Sequence, residues 1–205
     1  LLTGLGNILG DLPYIDRQTH LRTNLFAALV GRTSRARKGT SWNVLRSLLE
    51  YIDPLWYETR RASGLISGEG LISMISDPVF KDGELIHEGS KDKRLFFLEE
   101  EFATILRKMQ NPTSILSPLL RKAWLAGELH YNTMHTSRMT KRSMVSFLGH
   151  VTDQDLVKYL DGVDVANGFA PRFLYVHVYR NGRIPLPKTV DLSQYQGDLQ
   201  RIITA

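Results

Sequence analysis

The chain has 205 residues, 42% of them hydrophobic, and a formal charge of +5, enough for one sizeable α/β domain or two small ones. Cysteine is absent, which excludes a disulfide framework and a thiolate metal site. No apolar run approaches the length of a membrane-spanning helix.

The first segment, LLTGLGNILGDLP, is short and lacks the basic flank of a signal peptide, so a cytoplasmic chain is expected. The sequence opens without Met and in mid-element, which reads as a fragment of something longer. With no internal repeat and no low-complexity tract, residues 1–205 are read as one domain. Asn24 to Val30, NLFAALV, is a short apolar run ending at Gly31 and fits a buried parallel strand. A basic loop follows, and then TSWNVLRSLLEYI, Thr40 to Ile52, has its apolar residues at helical spacing. Ser67 to Asp77 reads as a turn and a short helix, and Asp82-Gly83 marks a hairpin. Arg94 to Leu98 form a strand that runs into Glu99, Glu100 and Glu101, after which FATILRKM has a helical pattern. Another helix is expected over Ile115 to Ala126. Ser143 to Thr152 is a strand with a polar tip, and Thr152 and Asp153 are placed to cap the helix DQDLVKYL. Arg172 to Arg180 closes the series as a β-rich strand. Strands alternating with helices imply an α/β fold, a mainly parallel sheet with helices on both faces.

Charge is unevenly spread. Arg107 to Arg142 holds seven cations and one acid, Glu128, whereas Asp77 to Glu101 holds eight acids and four cations. An acidic strand end beside a basic face suits a metal-nucleotide site next to a nucleic-acid track; a merely solvated face is the other reading.

In a parallel sheet ligands bind beyond the carboxyl ends of the strands, so the polar strand tips are the candidate site: Gly31 to Ser41, Glu69, Glu99 to Glu101, and His150. A triphosphate needs backbone N–H groups, a cation and a hydroxyl on Mg²⁺. Gly31 supplies the strand exit, Lys38 the cation and Thr40 or Ser41 the hydroxyl, with Arg37 and Gly39 completing the loop. The P-loop motif is not met: Lys38 lies one residue too far from Gly31, and Gly39 separates Lys38 from Thr40. A basic lead-in to a helix, with Arg32, Arg35 and Arg37 as surface charges, remains open. The apolar strand ending in carboxylates is the metal- and water-handling half of an ATPase site, with Glu99 as metal ligand and Glu101 or Glu100 orienting water. Glu69 competes for the base role. His150 is a candidate γ-phosphate sensor, and Arg172 a candidate arginine finger acting in a neighbouring subunit.

The stretches GRTSRARKGTSW, SGEGLI, RLFFLEEEFATIL, LSPLLRKAW, LGHVT and NGFAPRFLY, spread over residues 31–175, together resemble the helicase-like ATPase region of replication proteins of plasmids, phages and integrated elements, often attached to a primase-polymerase module. The resemblance implies a RecA-like P-loop core, hydrolysis of ATP with Mg²⁺, and movement along single-stranded DNA as a homo-oligomeric ring, a hexamer, with an attached or separate primase and no membrane. It also implies that Lys38 and Thr40 fall in the Walker A part, Glu99 and Glu101 in the Walker B part, His150 at a sensor-like position and Arg172 at the finger. Two departures stand out. Ala170-Pro171 replaces an Ala-Asn before the Arg, and Leu125 replaces an acid after the Trp. Two other functions stay open: a non-catalytic DNA-binding module with a degenerate loop, and a nucleotide-dependent switch or defence ATPase acting on protein partners.

Overall fold

The apolar runs become the strands of a parallel sheet. A computed structural model describes residues 1–11, 13–18, 20–32, 38–65, 67–132, 137–160, 162–179, 182 and 191–204. In chain order the elements are α1 (Leu2–Leu9), β1 (Tyr14–Ile15), β2 (Leu21–Arg22), β3 (Phe26–Val30), α2 (Lys38–Ile52), α3 (Pro54–Thr59), β4 (Arg61–Ala62), α4 (Gly68–Ser73), β5 (Val79–Lys81), β6 (Glu84–His87), β7 (Arg94–Glu99), α5 (Phe102–Met109), α6 (Leu116–Ala123), β8 (Leu129–Asn132), β9 (Ser137–Thr140), β10 (Met144–Val151), α7 (Asp153–Tyr159), α8 (Gly162–Ala166), β11 (Phe173–His177) and α9 (Ser193–Thr204). Five strands pair in the order β11-β3-β10-β7-β4, every neighbour parallel. The other strands form three antiparallel pairs, β1–β2, β5–β6 and β8–β9. The β5–β6 turn is the expected hairpin: Asp82 and Gly83 have φ of 52° and 87°, the left-handed pair that a type I′ turn requires.

A parallel sheet buries both faces, so its strands are almost continuously apolar and successive residues feed two separate cores. On one face Phe26, Phe97 and Phe147 pack with Leu71 of α4, Ile105 of α5 and Leu120 of α6. Phe147 holds the centre of that core, its ring 5.1 to 6.3 Å from those of Phe26, Phe97, Phe102 and Phe173. On the other face Phe96 meets Ile8 of α1, Trp42, Leu49 and Ile52 of α2, and Trp56 of α3, with Leu199 and Ile203 of α9 against them. No helix among the described residues is long and apolar enough to cross a membrane.

Register and caps place the strand ends. Val151 pairs with Val30 and Gly149 with Glu99, so β3, β10 and β7 finish side by side. A Cβ on Gly149 would lie 2.8 Å from the Phe102 ring, and its absence lets α5 start directly against β10. The Thr152 hydroxyl accepts from the Asp155 N–H at 3.0 Å and turns the chain from β10 into α7. Asp53 does the same for α3, accepting from the Trp56 N–H at 2.9 Å, with Pro54 at the first helical position.

Candidate functional site

The strand ends and the starts of α2, α5 and α7 surround a cleft of about 570 Å³. Its wall begins with Lys38, Gly39 and Thr40, the first residues of α2. The free N–H groups and positive dipole end of a helix start favour an anion there. Lys38 Nζ donates to the Gly31 carbonyl at 2.6 Å, which ties the end of β3 to the start of α2, and burial lowers its pKa against an opposing pull from Asp153. Gly31 itself is fixed by donating its N–H to the Val151 carbonyl at 3.1 Å. The two hydroxyl candidates separate. Ser41 Oγ donates back to the Lys38 carbonyl at 2.6 Å, whereas Thr40 lines the cleft. Arg37 lies outside the described residues.

The three glutamates also separate. Strand alternation puts Glu99 on the face of Leu95 and Phe97, where it is buried and its carboxylate accepts from the Leu65 N–H at 2.7 Å. Glu99 therefore pins the chain after β4 to the end of β7 and does not line the cleft. Glu100 and Glu101 do line it, and a Glu100 carboxylate oxygen would sit 3.4 Å from a Cβ placed on Gly39. These are hard oxygen donors of the kind Mg²⁺ takes, together with the Thr40 hydroxyl.

His150 completes the wall. It is 3% exposed, it lines the same cleft, and its Nε2 is buried without a hydrogen-bond partner among the described residues. Buried polar atoms are nearly always paired, so this orphaned nitrogen fits an oxygen ligand. Burial first, and then the Lys38 charge, push its pKa down to about 4. Folded chains thus hold His150 neutral while unfolded ones protonate it near 6.5. Stability is full above about pH 6.5 and is expected to fall by up to roughly 3 kcal/mol as pH drops toward 4. Urea unfolding at pH 7, 5.5 and 4.5 measures this, and His150→Asn should flatten that part of the profile.

Two candidates lie elsewhere. Glu69, in the first turn of α4, accepts from the Tyr131 hydroxyl at 3.3 Å and lines a neighbouring cleft. Arg172 precedes β11, whose first residue pairs with Phe26 at the start of β3. It therefore sits at the amino end of the sheet, about 13 Å of strand away from the cleft. There its guanidinium donates to the Gly168 carbonyl and lies 5.6 Å from the Trp124 ring, and burial and then Arg121 lower its pKa.

Several lining residues were not singled out as part of this site in the sequence: Thr104, Arg107, Asp155 and Tyr159. Arg107 donates to Thr104 Oγ1 at 3.3 Å and stands 5.7 Å from the Tyr159 ring. The signal was present in part, since Thr104 and Arg107 stand three apart on one face of α5, which starts just after Glu100 and Glu101. No family model and no curated protein matches this chain.

Proposed function

We propose that the cleft binds Mg-ATP and that the chain is an ATP hydrolase of the DNA-helicase type, a motor moving on single-stranded DNA in the replication of a mobile element. One observation carries the reading: Lys38, Thr40, Glu100, Glu101 and the orphaned His150 Nε2 all meet at the carboxyl ends of parallel strands, where such sheets bind nucleotides. The strand order supports a RecA-like P-loop core, because β10 stands between the strand that feeds Lys38 and the strand that delivers the carboxylates.

The roles follow from the chemistry. Lys38 exchanges its Gly31 contact for phosphate oxygens, and the α2 start donates backbone N–H groups, which the bare Gly39 leaves open to close approach. Thr40 and one carboxylate hold Mg²⁺, which when bound neutralises charge on the phosphates. Glu101 or Glu100 orients the attacking water. Glu99, bonded to Leu65, supports β7 from behind. His150 hydrogen-bonds a terminal phosphate oxygen, and Arg172, at the far end of the sheet, acts on the site of a neighbouring copy in a ring.

ATP hydrolysis by the chain, with and without single-stranded DNA and alongside its mass in solution, tests the reading. Turnover that rises with DNA, in an oligomer, is expected. Turnover indifferent to DNA would favour a switch acting on proteins, and DNA binding without any turnover a non-catalytic module.

A further inference from the structure

Beside the nucleotide cleft lies a second one of about 650 Å³, and the two share Thr104 and Arg107. Its lining is chemically divided. Glu69 and Tyr131 stand together in one part, joined by their 3.3 Å hydrogen bond, and the α5 cations Arg107 and Lys108 form another. Lys108 is held in place by donating to the Leu65 carbonyl at 3.3 Å, the residue whose N–H binds Glu99. A purely anionic ligand would be repelled by Glu69, and a purely apolar one would strand all four groups. A nucleotide unit satisfies both parts at once. Its phosphate pairs with the cations, its base stacks on the tyrosine ring, and an exocyclic amino group donates to the carboxylate.

We infer that this second cleft holds one nucleotide of a single-stranded nucleic acid, base amino group on Glu69, ring on Tyr131 and phosphate on Arg107 and Lys108. A single strand is required because pairing would occupy the amino group and hide the ring face. The size is within the range of small-ligand sites. The inference rests on the proposed function for its ligand class, and deepens it by giving the strand a location and a base preference. Cytosine and adenine have exocyclic amino groups, and thymine has none. Arg107, shared by both clefts, then links occupancy of one to the other.

The test is anisotropy of labelled dC, dA and dT oligomers titrated with the full chain in low salt, without nucleotide. Oligo-dC and oligo-dA are expected to bind about fivefold tighter than oligo-dT. Tyr131→Ala should weaken binding about tenfold, Tyr131→Phe should retain most of it, and Glu69→Gln, whose amide both donates and accepts, should bring dC and dT close to equal. Circular dichroism checks that each variant folds. Equal affinities in the parent, no loss in Tyr131→Ala, or free dCMP binding as tightly as the oligomer would each overturn the inference. A thermal shift with Mg-ATP, read separately on the same samples, reports on the first cleft, so a failure there and a failure here are distinguishable.

Discussion

Lys38→Ala is expected to reduce ATP turnover by at least ~100-fold, the scale on which removing one preorganised charge or donor acts, while circular dichroism stays that of the parent. The fold should survive because the Lys38 side chain makes one hydrogen bond among the described residues, from Nζ to the Gly31 carbonyl, and such a bond is worth about 1 kcal/mol net. Its effect on a bound phosphate is expected to be far larger, since a cation in a partly buried cleft would face charge that water screens poorly. Lys38→Arg is not a rescue: the planar fork of guanidinium does not replace a compact ammonium at a point contact. A second readout belongs to the same variant. The Lys38 charge helps to hold the His150 pKa down, after burial, so its removal should raise that pKa and make the loss of stability below about pH 6.5 smaller. Turnover in Lys38→Ala equal to the parent would remove the nucleotide reading altogether.

The parts of the fold visible in the sequence are those with a strong period. β3, β7 and β10 were legible as apolar runs with polar tips, and α2, α5 and α6 by their 3.6-residue spacing, because burial on two sheet faces writes that pattern directly. β4 was not, as two residues, Arg61 and Ala62, pairing only with Phe96 and Phe97, have no period to detect. α1 was hidden by its glycines, which disfavour a helix; Gly6 is needed there, since a Cβ would fall 2.1 Å from the Thr23 carbonyl oxygen. β8 and β9 lack an apolar run and are held by cross-strand pairing from Leu129 to Thr140. At the site, Lys38, Thr40, Glu101 and His150 were legible as strand tips and loop residues, and they meet. Glu99 was legible as a carboxylate at a strand end, but its contact with the Leu65 N–H depends on a connection whose position no local pattern gives. Ser41 and Thr40 could be told apart only once α2 was seen to begin at Lys38, which lets Ser41 bond back to the Lys38 carbonyl.

Asn7→Ala is expected to destabilise the chain by about 3 to 5 kcal/mol, from the lost hydrogen bonds and the void together. Asn7 is a fully buried polar residue on α1, and each end of its amide is used. Nδ2 donates to the Met144 carbonyl at 2.7 Å and the Leu95 carbonyl at 3.2 Å, with Ser146 Oγ at 3.3 Å. Oδ1 accepts from Trp56 Nε1 at 2.7 Å. One side chain thus joins α1 to β7, β10 and α3 on the face opposite the Phe147 core. Alanine leaves the Trp56 N–H, in a fully buried ring, without an acceptor. Removing one partner of a buried pair costs more than removing both, so Asn7→Ala with Trp56→Phe should recover part of the loss, after allowing for the smaller ring. Asn7→Asp discriminates further: it keeps an acceptor for Trp56 but turns an oxygen toward the Met144 carbonyl, and should be no more stable than Asn7→Ala at pH 7. Urea midpoints for the parent, Asn7→Ala, Trp56→Phe and the double variant give the cycle. A cost below about 1 kcal/mol for Asn7→Ala would mean that α1 is not docked on the sheet through this residue, and the second face would have to be closed by α2, α3 and α9 alone.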